Sequence, residues 1–173
     1  DPELVAEVIA GLPSFYCEET AADLVSLFRS ALRTEFQAPE ERRQTAIAQI
    51  MESAGGIFEE HQAPGFKGLL VETLSSASIQ RWTLDTIYSL SFRAAGLVPD
   101  ILEAMGKTQD LNQFSVYLQA LGYIGPEARP AIPTIRTCCA DFCSRSGILP
   151  ASLSVNLREC LGRIGGSAAV AEL

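Results

Sequence analysis

The hexapeptide Ala120-Leu121-Gly122-Tyr123-Ile124-Gly125 recurs as Cys160-Leu161-Gly162-Arg163-Ile164-Gly165, a constant offset of 40 residues that preserves Leu-Gly-x-Ile-Gly. A weaker echo matches Val98-Pro99-Asp100-Ile101 to Arg129-Pro130-Ala131-Ile132 at an offset of 31. Self-similarity at such a period marks stacked supersecondary units, each too small to bury its apolar face alone. Whatever this chain folds into must therefore let consecutive units share a core.

Apolar spacing shows what the units are made of. Residues 18–32, EETAADLVSLFRSAL, place Ala21, Leu24, Val25, Phe28, Ala31 and Leu32 on one helical stripe, with Glu18 and Glu19 at the positive end of the dipole. APEERRQTAIAQIMESAG repeats the pattern: Pro39 opens it, Glu40 and Glu41 occupy the first turn, and Ile47, Ile50, Met51 and Ala54 face inward. FKGLLVETL, SIQRWTLDTIYSLSF and VPDILEAMG follow, with breaks expected at Pro64-Gly65 and Ala95-Gly96. LNQFSVYLQALGYIG carries Phe114, Tyr117, Ala120, Leu121 and Ile124 at helical spacing before a glycine stop. SVNLRECLGRIG runs to a second glycine pair, also read as a helix stop. Strand-like alternation is almost absent, so the expected fold is all-α, with eight to ten helices joined by turns.

The stretch LGYIGPEARPAIPTI sets Pro126, Pro130 and Pro133 within eight residues. A PxxP ligand would require an exposed polyproline II segment, whereas Ile132 and Ile135 belong to an apolar stripe that continues to Cys139 and Phe142. The first N–H groups of a helix have no internal partner, so prolines there forfeit little. Arg129, preceding a proline, is pushed away from the helical region. Gly125-Pro126 thus ends one helix and Pro130 opens the next.

ALGYIGPEARPAIPTI resembles the HEAT repeat in its bacterial, phycobilisome-lyase-type form, whose first helix ends in ALGxIG and whose second begins around ARPAIPAL. The resemblance is close over residues 111–136, partial over 153–171, and a helix-pair pattern over 3–106. Together with the repeat spacing it implies a right-handed α-α superhelix of about four to five HEAT-like helix pairs, with residues 1–173 as one solenoid domain. The second helices of the pairs would line a concave surface of the kind that binds other proteins. A solenoid needs polar caps, and the apolar end GSAAVAEL suits a longer repeat array.

Composition narrows the partners. Apolar residues make up 47% and charged residues 20% of the chain, a globular balance. Residues 1–108 hold 8 Lys and Arg against 16 Asp and Glu, while residues 109–173 hold 5 of each. Phosphate backbones are recognised by clustered bases that displace counterions, and no basic stripe exists here, so nucleic acid is a disfavoured partner. No apolar run reaches the length of a membrane span, and DPELVAEVIAGL carries acids where a signal peptide carries bases. These features point to a soluble, cytoplasmic protein without a membrane partner. An odd count of five cysteines with no secretion signal points to reduced thiols.

No cofactor, metal or catalytic set is expected. In CCADFC, Cys139 and Cys143 share a helical face, but a zinc quartet lacks its remaining ligands, and buried thiols acting as small hydrophobes are the simpler reading. Glu59-Glu60-His61 reads as a turn between helices, and His61, the single histidine, has no second histidine to complete a metal site. None of the serines lies in GxSxG, and there is neither GxGxxG nor GxxxxGK[ST].

The candidate partner-binding residues are Trp82, Arg129, Arg136 and Arg163. Trp82 is a large anchor beside Arg81, and the three arginines could form a positive patch or instead cap helices and pair with Asp141 and Glu159. Tyr88 and Tyr123 are further anchors, while Tyr117 aligns with Leu157 across the repeat and reads as core. The functional expectation is a non-enzymatic protein-interaction scaffold or adaptor with another protein as partner. The resemblance also implies two alternatives: a phycobilin lyase-like chromophore-handling protein, and a HEAT-like DNA glycosylase, which the acidic charge disfavours.

Overall fold

The computed structural model describes residue 11 and residues 16–35, 40–146 and 151–171. The expectations for Pro39, for residues 1–10 and for the side chains of Glu40, Glu41 and GSAAVAEL lie outside this description. Among the described residues the chain is all-helical, with no strand. The α-helices are α1 (Ala21–Glu35), α2 (Glu40–His61), α3 (Pro64–Leu74), α4 (Gln80–Leu90), α5 (Val98–Lys107), α6 (Leu111–Ile124), α7 (Ile132–Ser146) and α8 (Ala151–Ala171). Short 3-10 turns span Glu18–Thr20, Ser91–Leu97 and Gly125–Ala131. No helix of the described residues is long and apolar enough to cross a membrane. Backbone packing divides the chain into two compact units, Asp1–Thr86 and Ile87–Leu173.

In the first unit α1, α2 and α3 pack against one another. The α1 stripe buries Val25, Phe28, Ala31 and Leu32, and α2 buries Ile47, Ile50, Met51 and Ala54, as their spacing predicts. Phe28 and Phe66 meet edge to face at 5.0 Å, an arrangement favoured by the ring quadrupoles. A fully buried side chain of this size contributes about 2 kcal/mol by leaving water, so these residues outweigh any helix propensity in the unit.

In the second unit α6 and α8 form the most extensive packed pair, with α5 and α7 beside them. The two copies of Leu-Gly-x-Ile-Gly therefore lie on helices in direct contact. Equivalent positions share the same fate: Leu121 and Leu161, Ile124 and Ile164, Ala120 and Cys160, and Tyr117 and Leu157 are all buried. Gly122 makes the close approach possible. A Cβ there would stand 3.3 Å from the Cys160 Cα, tighter than ordinary contact. At the start of α6, the Asp110 carboxylate accepts from the Asn112 and Gln113 N–H groups at 2.7 and 3.1 Å, filling two of the orphan donors of the first turn.

The register of the weaker echo differs from the sequence match. The 3-10 turns Ser91–Leu97 and Gly125–Ala131 pack on each other, each lying between two helices. Their boundaries pair Val98-Pro99 with Ile132-Pro133, an offset of 34 and not 31. In this register Ala94 and Ala128, Leu97 and Ala131, and Ile101 and Ile135 are fully buried pairs. Ser91 also falls opposite Gly125, and both take positive φ, 50° and 79°. The 31-residue match followed the visible Pro-x-Ile spelling, whereas burial of small residues in the turn sets the physical register.

Three expected boundaries are corrected. α2 does not stop at Gly55 but continues through Gly55-Gly56 to His61, because Ile57 and Phe58 beyond them are buried and their packing outweighs a glycine cost of about 1 kcal/mol each. α8 likewise runs through Gly162, Gly165 and Gly166 to Ala171, so these are not a helix stop. Gly125 does end α6. Proline after it disfavours helical backbone, and Gly125 leaves with φ 79° while its N–H still donates to the Leu121 carbonyl. Finally, Arg129 is not extended; it lies in a 3-10 turn whose geometry passes into α7 at Ile132.

Candidate functional site

The candidate residues are distributed over several elements. Trp82 is the third residue of α4 and half-buried in the first unit, its backbone N–H donating to the Ile79 carbonyl at 3.0 Å. The other three lie in the second unit: Arg129 exposed on the Gly125–Ala131 turn, Arg136 half-buried on α7, and Arg163 exposed on α8.

Arg163 has the most informative surroundings. Its guanidinium lies over the Tyr123 ring, 5.0 Å from the centroid, and among the described residues it forms no ion pair. Tyr123 and Arg163 occupy the variable position of the two Leu-Gly-x-Ile-Gly copies, so packing α8 along α6 sets equivalent residues in contact. Tyr88, at the C-terminal end of α4, meets Tyr123 edge to face at 5.2 Å. The result is a ladder, Tyr88–Tyr123–Arg163, running from the C-terminal ends of α4 and α6 to the middle of α8. Tyr88 is 65% exposed and nearby in sequence Phe92 is 63% exposed, an unusual amount of aromatic surface to leave in water. Beside the ladder, Gln119, Tyr123, Asn156, Glu159 and Arg163 line a shallow cavity of about 190 Å³. Arg129 and Arg136 are not among its lining residues.

Sequence reasoning named Tyr88, Tyr123 and Arg163 separately but not their juxtaposition, and it missed Phe92. The 40-residue offset carried the signal for the Tyr123–Arg163 contact, because it aligns them at one motif position. Nothing in the sequence reports that Tyr88 reaches Tyr123.

Two of the five thiols, Cys139 and Cys160, lie in the core as expected, whereas Cys138 and Cys143 are half-buried. Cys139 and Cys160 are buried, and burial, reinforced by a neighbouring thiol, pushes both up to about 12 from the usual 9.0. For Cys139 the added influence comes first from Cys143, for Cys160 from Cys139. Cys138 is raised as well, mainly by burial and then by Asp141. Thiolates are the nucleophiles and metal ligands, so these groups are poorly suited to either role. Cys17 alone among the described cysteines is exposed. No group of three or more His, Cys, Asp and Glu able to hold a metal ion stands among the described residues.

His61 does not lie in a turn. It closes the last turn of α2, where its ring stacks on Tyr16 at 4.3 Å and its Nε2 is 3.8 Å from the Glu60 carboxylate. No protein-family model, curated protein or solved structure matches the chain.

Proposed function

We propose that the chain is a protein-interaction module built from HEAT-like helix pairs, working as a scaffold or adaptor and not as an enzyme. In this reading α4 with α5 and α6 with α7 are successive pairs, each joined by a 3-10 turn, and α8 is the first helix of the next pair. The shared register of the turns and the packing of α8 along α6 support it. Stacked units of this kind bury a continuous core and leave extended surfaces for recognition.

The observation that carries the functional reading is the exposed Tyr88–Tyr123–Arg163 ladder with Phe92. Tyr and Arg dominate interface hot spots: Tyr brings a large rigid ring with a polar tip, and Arg a planar guanidinium that stacks on rings and donates in a fixed fork. The Tyr123–Arg163 stack is worth about 0.5–1 kcal/mol at an exposed site, and more once a partner removes water from it. The ladder sits on the first helices of the pairs, so the partner surface proposed here is not the row of second helices that the resemblance alone suggests.

A photo-cross-linking amino acid at Phe92, with Glu103 as an exposed control position, tests this in the native cellular background. The expected outcome is one protein adduct from position 92, absent from position 103 and lost when Tyr88→Ser and Arg163→Glu are introduced together. Equal labelling from both positions, or an adduct indifferent to the double substitution, would contradict the reading.

A further inference from the structure

The first unit contains a larger cavity, about 430 Å³, between the C-terminal halves of α1 and α3 and the turn that leads into α4. Its volume falls within the usual range of small-molecule sites. Leu32 and Leu69, both buried, give it an apolar wall, and Ile79 adds to it from the turn.

Three charged groups reach the cavity, and their pairing decides its sign. The Arg29 guanidinium donates through Nε and one terminal nitrogen to the same Glu72 carboxylate oxygen, at 3.0 and 2.8 Å. That pair is neutral. Arg33, one turn further along α1, has no ion-pair partner among the described residues. The lining hydroxyls of Ser76 and Ser78 are 3.0 Å apart and share one hydrogen bond, which leaves lone pairs and one proton for another group. Thr73 is already committed, donating to the Leu69 and Leu70 carbonyls. Among the described residues the cavity therefore offers one unneutralised guanidinium, a hydroxyl pair and an apolar wall.

We propose that this cavity binds a small organic monocarboxylate with an apolar body. A guanidinium fork matches a carboxylate in bidentate geometry, and a single surplus positive charge matches a monoanion. A dianionic phosphate ester would carry one charge too many opposite Glu72. An amine would meet Arg33 with like charge, and a purely apolar ligand would bury that guanidinium without a counter-charge.

Titration of 4-phenylbutyrate into the full chain, followed by amide NMR shifts, tests the proposal, with 4-phenylbutylamine as the probe of equal shape and opposite charge. The acid is expected to give saturable shifts concentrated at Arg29 to Arg33 and Leu69 to Ile79, and the amine none. Arg33→Ala should weaken the acid about tenfold or more, as expected for a lost charge-assisted contact. Glu72→Gln frees Arg29 and should tighten binding of the acid. Both substituted side chains are on the surface, and an unchanged helical spectrum will verify that the variants fold. Equal binding of acid and amine, no saturation by the acid, an Arg33→Ala variant that binds as well as the parent, or weaker binding by Glu72→Gln would overturn the assignment.

Discussion

The thiols show how residue chemistry follows from a helix position. Cys139 and Cys160 are held on buried faces of α7 and α8, and burial keeps both protonated to about pH 12. At pH 8 a thiol with a pKa near 12 has a thiolate fraction roughly a thousandfold below that of one near 9. Iodoacetamide should therefore label Cys17 quickly and leave Cys139 and Cys160 unmodified under native conditions, read by mass spectrometry of peptides. Linkage gives the stability consequence. The unfolded thiols release protons near 9 while the folded ones retain them, so stability is complete below about pH 9 and falls as pH rises toward 12. Thermal melts at pH 8, 10 and 11 should show a progressive fall, and a flat profile would contradict buried, protonated thiols. The core role of these cysteines was legible from their apolar stripe. The setting of Arg163 over Tyr123 was legible only as an alignment at the 40-residue offset, since the contact itself depends on how two helices pack.

Among the elements, glycine carried different meanings that spelling alone could not separate. Gly55-Gly56 and Gly165-Gly166 look like helix ends, yet α2 and α8 run through them, whereas Gly125 ends α6 because Pro126 follows. Side-chain packing beyond the first pair outweighed propensity, a balance that is invisible until the partner helices are known. Gly122→Ala should destabilise by about 1 kcal/mol or more, because the Cys160 backbone must move away and helix propensity returns only part of the cost. Gly68→Ala, where an added Cβ meets nothing within 4 Å, should instead stabilise by roughly 0.5–1 kcal/mol. Ser91 holds the position that Gly125 holds in the next turn, at φ 50°, so Ser91→Gly should also stabilise by about 1 kcal/mol. Chemical denaturation of the three variants would check all three signs. Were Gly122→Ala to stabilise as Gly68→Ala does, the close α6–α8 approach would be wrong.

At the scale of the whole molecule, the all-α class was legible from periodicity, and the packing of α6 on α8 from the two copies of Leu-Gly-x-Ile-Gly. The equivalence of the two 3-10 turns was hidden, because Ala94 matches Ala128 while Ser91 and Phe92 stand where Gly125 and Pro126 stand in the next turn. Charge is also uneven: residues 1–86 hold 6 Lys and Arg against 14 Asp and Glu, whereas residues 87–173, which carry the whole candidate partner surface, hold 7 of each. A partner drawn to the ladder should therefore respond to local geometry and not to general electrostatic attraction.

Two arginines on α8 separate those possibilities. Arg158 and Arg163 are both exposed, but only Arg163 covers Tyr123. The deciding measurement is the affinity of the protein cross-linked at Phe92 for the Arg163→Glu and Arg158→Glu variants, side by side at one salt concentration. The ladder account predicts a loss of about tenfold or more for Arg163→Glu and little change for Arg158→Glu. Equal losses in the two variants, or none in either, would contradict it.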